Sequence, residues 1–291
     1  MSELWNKIKT RYFRGNALIR LIFINVAVFL VASVINVFGT LFGLNPGALF
    51  RFFELPSNLL TLVTRPWTII TYMFFHLDFF HILFNMLWLY WFGNMFLRRF
   101  SEKQLVSVYF LGGILGGFCY IVLYNLLPVF SSIAHLSYLL GASASVLAIV
   151  VATALRDPND EVLLMFLGAV KLKYIAVFVV LLSFLNVVSE NAGGNIAHLG
   201  GAFFGFLFIY FYKKGTDITR WLSNISDKII SLFKPKSKFK VRRNENIDMQ
   251  FNRKKKANMD EVDAILDKMK RTGYDGLSTE EKRKLFDAGK K

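Results

Sequence analysis

The feature that most constrains this chain is a series of apolar runs, each close to the length that crosses a membrane. The hydrocarbon core of a bilayer is about 30 Å thick, so a helix needs about 20 apolar residues to span it. Six such runs, which we number spans 1 to 6, occupy residues 18–40, 78–97, 104–127, 138–155, 172–188 and 195–212. They predict an all-α, polytopic membrane protein with six transmembrane helices.

Two further apolar segments lie near residues 47–63 and 162–170. They are broken or bordered by Pro or charged residues, which interrupt a continuous transmembrane helix. We therefore expect both segments to be interfacial or re-entrant.

Composition separates the membrane-embedded part from a polar C-terminal tail. The 291-residue chain is 54% hydrophobic, yet its formal net charge is +15. Of its 35 Lys and Arg residues, 22 lie from Lys213 onwards. We therefore divide the chain into a cytoplasmic N-terminus (1–17), a six-span membrane domain (18–212), a basic cytoplasmic linker (213–257) and a small helical hairpin (258–291).

Basic residues indicate which side of the membrane each loop faces. Cytoplasmic loops carry an excess of Lys and Arg. Such clusters lie before span 1, between spans 2 and 3, between spans 4 and 5, and after span 6, whereas the opposite loops carry only Arg51 and Arg65. Span 1 has no small-residue cleavage site after it, so we expect it to be retained. We predict an integral protein of the bacterial inner membrane with both termini in the cytoplasm.

Polar side chains recur at one depth in spans 2, 4 and 6. Span 2 contains His81 and Asn85, span 4 contains Ser143, and span 6 contains His198. These spans run in the same direction, so we expect the first polar residue of each (His81, Ser143 and His198) about 5–10 Å below the outer boundary. Ser143 by itself could be a small helix-packing residue. Ionisable groups inside a membrane are costly and usually functional, which favours a reactive site.

The residues around Ser143 and His198 predict close packing of their two helices. Gly201 and Gly205 follow His198 on one face of span 6, and Ala144 and Ala148 form a matching stripe of small residues on span 4. Close approach of these faces would bring the serine hydroxyl within reach of the imidazole. Neither span carries a carboxylate, so a Ser–His dyad is the simplest arrangement.

His81 and Asn85 are four residues apart and therefore project from the same face of span 2. They could be a structural polar pair that bridges helices. They could also donate hydrogen bonds to the oxyanion that forms when a serine attacks a carbonyl group. The sequence leaves both interpretations open.

Three motifs together resemble a known family. "HLDFFHILFNMLWLYWFGNMF", "LLGASAS" and "NIAHLGGAFFGF" are similar to the second, fourth and sixth spans of the rhomboid intramembrane serine proteases. They occur in the family's order, and the resemblance covers about residues 15–212. It implies a six-helix rhomboid-like bundle that hydrolyses single-span or polytopic membrane proteins near the outer leaflet, without a metal ion or other cofactor.

The resemblance also implies roles for individual residues. Ser143 and His198 would form the catalytic dyad, and His81, Asn85 and the backbone amide of Ser143 would form the oxyanion site. Four further residues would support this site, with His76 holding the loop that enters span 2; they are His76, Gly141, Gly201 and Gly205.

Three positions depart from the family pattern. Ala144 replaces the glycine that usually follows the serine, Leu147 replaces an aromatic residue, and Thr68 replaces an arginine. None of these changes removes a catalytic group, so we favour an active protease.

The alternative is an inactive rhomboid-like protein that binds transmembrane helices without cutting them. A transporter would require charged residues at mid-depth and internal repeats, and the sequence shows neither.

The tail after span 6 combines a basic linker with a short apolar pattern. The linker would lie close to anionic lipid at the membrane surface. No aromatic platform or binding motif accompanies its charge, which argues against nucleic acid as a partner. Gly273 is expected to end a first helix, and Ser278 with Glu281 predicts a capping box at the start of a second.

Overall fold

The structure is a computed structural model that describes residues 15–164, 168–222, 224–225 and 245–289. Most of the predicted cytoplasmic N-terminus and the middle of the predicted linker lie outside these residues. The chain divides into two compact units, Met1–Phe233 and Lys234–Lys291. Both units are mostly helical in the part that the structure describes.

Within the described residues, the first unit contains six helices of 14 residues or more, one for each predicted span. They are α1 (Ala17–Leu41), α2 (Phe79–Leu97), α3 (Glu102–Leu126), α4 (Ser143–Arg156), α5 (Leu172–Leu185) and α6 (Ala192–Lys213).

The lengths of these helices distinguish clear membrane spans from shorter segments. By length and composition, α1, α3 and α6 can each cross a membrane. Helix α2 passes the same test when joined to the short helical segment Thr68–Phe74, from which it is bent by 93°. Helices α4 and α5 have 14 residues each, fewer than a straight span needs. The described residues therefore contain three or four candidate membrane spans.

The predicted start of span 4 at residue 138 does not match the start of the helix. Tyr138–Leu139 forms a short antiparallel strand that pairs with Leu55–Pro56. Gly141 then has a φ of +115°, outside the helical region. Both features prevent the helix from starting earlier, so Ser143 is the first residue of α4 rather than lying several residues inside it.

The six helices alternate in direction, as polar contacts at one end of the bundle show. These contacts join Ala17 N–H to Glu102 Oε2 (2.7 Å), Arg99 to Asp157 (2.9 Å), Lys213 Nζ to the Leu155 carbonyl oxygen (3.3 Å), and Lys173 Nζ at the start of α5 to Asn159 Oδ1 just after α4 (3.0 Å). We call this end of the bundle, where Arg99 and Lys213 lie, the basic end. The start of α1 and the end of α6 both lie there, whereas Ser143 lies at the opposite end of α4.

The centre of the bundle is built from α3, α4 and α6, which approach closely because small residues face one another. A Cβ atom at Gly116 of α3 would lie 2.8 Å from the Cβ of Ala144 and 2.6 Å from the carbonyl oxygen of Ala197. Carbon atoms in ordinary contact are about 3.5–4.0 Å apart. A larger residue at Gly116 would therefore force α4 and α6 away from α3.

Short elements connect these helices. In the described part of the predicted segment 162–170, which leaves out residues 165–167, Glu161–Leu164 pairs antiparallel with Gly168–Lys171. The predicted segment 47–63 contains two short helices on either side of the strand Leu55–Pro56. These two helices are Gly47–Phe50 and Leu59–Thr64. Further helical turns occupy Thr68–Thr71, Tyr72–Phe74, Pro128–Ser131 and Ala134–Leu136.

The second unit contains two helices, α7 (Glu245–Thr272) and α8 (Thr279–Ala288), in its described residues. Helix α7 begins inside the segment predicted as linker, because residues 245–257 contain no Gly or Pro that would break a helix. Ser278 and Glu281 make both hydrogen bonds of the capping box at the start of α8. This part of the hairpin prediction is confirmed.

Candidate functional site

His76 holds the chain immediately before Ser143. Its buried ring accepts a hydrogen bond at Nε2 from the Ala142 backbone N–H (3.3 Å), and its Nδ1 faces the Phe74 carbonyl oxygen (3.4 Å). A neutral imidazole with its proton on Nδ1 satisfies both contacts. His76 therefore links the turn before α2 to the start of α4, whereas the sequence suggested only a role in the loop that enters span 2.

Gly141 lies between the ring of His81 and the hydroxyl of Ser143. Its N–H donates to the Tyr72 carbonyl oxygen (2.9 Å). A Cβ atom at this position would lie 2.8 Å from Cε1 and 2.9 Å from Nε2 of His81, and 3.8 Å from Ser143 Oγ. Glycine adopts a positive φ readily and has no Cβ that would need this space. The absence of a side chain at Gly141 therefore leaves room for the His81 ring beside Ser143.

The first turns of α2 fix the positions of His81 and Asn85. Asp78 is the N-cap of α2, and its carboxylate accepts a hydrogen bond from the His81 backbone N–H (2.8 Å). The buried side-chain amide of Asn85 donates to the His81 carbonyl oxygen (2.9 Å). An amide NH₂ has two hydrogens, so Asn85 retains one donor. The rings of His76 and His81 meet edge to face, with centroids 5.0 Å apart.

Ser143 occupies the first helical position of α4. The first N–H groups of a helix have no acceptor inside it, and the first bond within this turn runs from Val146 N–H to the Ala142 carbonyl oxygen (2.9 Å). The Ser143 amide has no hydrogen-bond partner among the described residues. The Ser145 hydroxyl is buried against α3 near Gly113. It also has no hydrogen-bond partner among the described residues.

Helices α4 and α6 touch through their backbones. A Cβ atom at Gly201 would overlap the carbonyl oxygen of Ala144, and one at Gly205 would overlap that of Ala148. His198 lies one turn before Gly201 on the same face of α6. The contact therefore places His198 beside the first turn of α4. The described residues show no hydrogen bond between the Ser143 hydroxyl and His198.

Ser183 of α5 is a site residue that the sequence analysis missed. Its hydroxyl lies 3.2 Å from Nδ1 of His198, and the residue is 4% exposed. The only sequence signal is a single serine inside the apolar run of span 5. The spacing of residues along that span does not reveal which side chain of span 6 it faces, so this pairing required the structure.

The loop before α2 is ordered despite the Thr68 departure. Thr68 is fully buried, and its hydroxyl donates to the Arg65 carbonyl oxygen (2.7 Å). Trp67 donates from Nε1 to the Phe52 carbonyl oxygen (2.8 Å), and the Arg65 guanidinium lies 4.4 Å from the centre of the Phe52 ring. Leu147, at another departure, is 4% exposed and packs in the core.

A polar cleft of about 530 Å³ opens beside His76. Its other wall includes Ser33, Asn36 and Thr40, which follow one face of α1. Polar groups inside a membrane-crossing helix usually face protein or a water-filled space rather than lipid. The cleft is thus a partly polar opening at the Ser143 end of the bundle, and of its residues the sequence analysis singled out only His76.

These features describe an integral membrane protein in which Ser143, His198, His81 and Asn85, which belong to three helices, lie near one end of a helix bundle. The Rhomboid domain model matches residues 63–215, a little over half of the chain. The chain therefore belongs to the rhomboid family. The match includes α2 to α6 and all of the site residues named from the resemblance.

Two other similarities concern parts of the chain. RHOMBOID-like protein 12, mitochondrial, from Arabidopsis thaliana is 29% identical over 144 residues, which cover 46% of this chain and 43% of that protein. The chain thus matches less than half of that relative's length. Residues 245–291, which include α7 and α8, match a family of unknown function (DUF6576).

Proposed function

We propose that this protein is an intramembrane serine endopeptidase that cuts the transmembrane segments of single-span or polytopic membrane proteins near the outer leaflet. The observation that carries the proposal is the backbone contact between Gly201 and Ala144. It supports a position for His198 beside the first turn of α4, where the Ser143 side chain makes no hydrogen bond to any described residue. A nucleophile and a base on neighbouring helices are what acyl transfer to serine requires.

The Ser183 contact supports a separate role for each ring nitrogen of His198. Because Nδ1 faces the Ser183 hydroxyl, Nε2 is the nitrogen left for Ser143. With its proton on Nδ1, the ring accepts the Ser143 proton at Nε2 as Oγ attacks the scissile carbonyl carbon. The same proton then passes to the leaving amine. The amine then departs and leaves an acyl ester on Ser143 Oγ. His198 takes a proton from a water molecule, whose oxygen attacks the ester carbonyl carbon. It then returns that proton to Oγ as the carboxylic acid product leaves.

Three donors are available for the oxyanion of the tetrahedral intermediate. They are the unpaired Ser143 backbone N–H, the second side-chain N–H of Asn85, and the ring N–H of His81 when its proton is on Nε2. Removing one such donor typically lowers turnover by a factor of about 10²–10³. Hydrolysis also needs water, and the polar cleft beside His76 offers it a route.

The membrane arrangement that we propose has six crossing segments with both termini in the cytoplasm of a bacterium. Support comes from the alternating helix directions and from the basic residues near one end of the bundle. Helices α4 and α5, with 14 residues each, are about 21 Å long. In this arrangement, the strand and turn at residues 138–142 complete the crossing of α4.

The alternative is a rhomboid-like protein that binds transmembrane helices without cutting them. Two observations favour it: Ser143 and His198 are not hydrogen-bonded, and Asn85 donates to its own helix. Catalytic hydrogen bonds are often long without substrate and tighten only when substrate binds. These observations therefore do not outweigh the assembled residues, and a direct experiment distinguishes the two functions.

The experiment measures cleavage of a transmembrane reporter by the purified full-length protein in detergent. We expect the wild type to cut the reporter in the part of its segment nearest the outer surface. Ser143→Ala and His198→Ala should abolish cleavage. Ser145→Ala is the matched control and should retain most activity, because its hydroxyl faces α3. If the wild type binds the reporter without cutting it, the non-catalytic alternative is correct.

A further inference from the structure

A second cavity, distinct from the serine site, lies between α4, α5 and α6. It is a groove of about 830 Å³, within the range of about 300–1,000 Å³ that is typical of small-molecule sites. Helix α5 lines it with one stripe of side chains that recur every three or four residues, and α6 lines the facing side. These residues include Lys173, Val177, Leu181 and Phe184 of α5, and Phe203, Phe206 and Lys213 of α6.

The groove has a floor of small residues and walls of large ones. The floor includes Ala154, Ala176 and Ala202, which are 2%, 8% and 6% exposed. The walls include the exposed side chains of Leu181 and Phe203. A floor of small residues between larger apolar side chains leaves space for an apolar chain.

The length of the groove matches one leaflet of a bilayer. Along α5 it runs from Lys173 to Phe184, which is about 16 Å at 1.5 Å per residue. Half of a hydrocarbon core is about 15 Å thick. An acyl chain that enters at the basic end would therefore lie in the groove along its whole depth.

Two ammonium groups line the groove toward its basic end. Lys173 donates to Asn159 Oδ1 (3.0 Å), and Lys213 donates to the Leu155 carbonyl oxygen (3.3 Å). Each ammonium has three hydrogens, so each retains donors. No carboxylate lines the groove in the part of the chain that the structure describes. Two cations above an otherwise apolar channel are complementary to a phosphate headgroup above an acyl chain.

We propose that this groove binds one anionic phospholipid from the leaflet at the basic end, with an acyl chain between α5 and α6 and the headgroup on Lys173 and Lys213. The site is separate from the serine and histidine residues, so the proposal does not depend on protease activity. A basic residue near an anionic headgroup strengthens binding by about 1 kcal/mol, or about fivefold. The two lysines together should therefore favour an anionic over a zwitterionic lipid by about 30-fold.

The test is native mass spectrometry of the delipidated full-length protein, titrated separately with dioleoyl phosphatidylglycerol and dioleoyl phosphatidylcholine. We expect one phosphatidylglycerol to bind more tightly than phosphatidylcholine. The Lys173→Gln, Lys213→Gln double variant should remove this preference. The Lys171→Gln, Lys214→Gln double variant loses the same charge from neighbouring residues outside the groove and should keep the preference.

Photo-crosslinking locates the acyl chain independently of affinity. Phosphatidylglycerol with a diazirine in its acyl chain should label Leu181 and Phe203 in the wild type, and labelling should fall in the Lys173→Gln, Lys213→Gln variant. Equal loss of preference in both double variants would overturn the proposal, as would labels spread evenly over the apolar surface. Labelling of the groove by a transmembrane peptide but not by phospholipid would show that it docks helices instead.

Discussion

Gly141→Ala tests whether the ring of His81 must stay beside Ser143. The substitution has two effects that can be estimated separately. A non-glycine residue at a φ of +115° costs about 1–3 kcal/mol of folding free energy. The new Cβ would lie 2.8 Å from His81 Cε1, and ordinary contact requires about 3.5 Å or more, so the ring must move by about 0.7 Å.

A displacement of this size should affect turnover more than stability. Misplacing a catalytic group by about 1 Å can lower the rate by about 100-fold, so we expect Gly141→Ala to lose about 10- to 100-fold in turnover. The assay pairs the initial rate of reporter cleavage with the melting temperature in the same detergent. Gly43→Ala is the control, because Gly43 has a φ of +67° and no atom within 4 Å of its added Cβ.

Gly43→Ala should therefore lose some stability and keep its rate. If Gly141→Ala cleaves the reporter as fast as Gly43→Ala does, the space at Gly141 does not hold His81 in a productive position. The role of His81 in oxyanion binding would then be wrong. A loss of rate that is fully explained by a loss of folded protein would count against the reasoning in the same way.

Four further predictions concern single side chains. Asn85→Ala and His81→Ala should fold normally and lose turnover, with Asn85→Ala the milder; a parallel loss of melting temperature and rate would instead make them scaffold residues. His76→Ala should lower both the melting temperature and the rate, because it removes the acceptor for the Ala142 amide; an unchanged melting temperature would contradict this role. Ser183→Ala should lower kcat with little change in KM, and Ser183→Thr should restore it; an Ala variant as active as the wild type would exclude Ser183 as a positioning residue. Burial raises the pKa of the Glu54 carboxyl, so its ionised form is disfavoured in the folded state. Glu54→Gln should therefore raise the melting temperature at neutral pH. This gain should shrink as the pH falls through the raised pKa, and a gain that grows in acid would contradict the prediction.

The sequence was sufficient to locate most of the helices and to predict the close packing of α4 against α6. Hydrophobic length located α1, α2, α3 and α6 to within a few residues. The contact of Gly201 with Ala144 also follows a pattern that is visible in the sequence, because small residues recur at helical spacing on both spans. Periodic features of this kind depend on local geometry, and local geometry can be deduced from spacing.

The features that the sequence did not reveal depend on contacts between distant segments. The start of α4 at Ser143 follows from the pairing of Leu55 with Leu139, two residues in different loops. The hydrogen bond from Ala142 to His76 and the contact of Ser183 with His198 depend on the rotation of helices about their axes. Hydropathy and motif spacing do not determine these rotations.

Covalent labelling of Ser143 tests the central claim most directly, because it reports an activated serine without any need for a known substrate. The purified full-length protein is treated with a fluorophosphonate, and the modified peptide is identified by mass spectrometry. We predict one adduct, on Ser143, that Ser145→Ala retains and His198→Ala loses. A folded wild-type protein without an adduct, or with the adduct on Ser145, would contradict the account of a Ser143–His198 dyad.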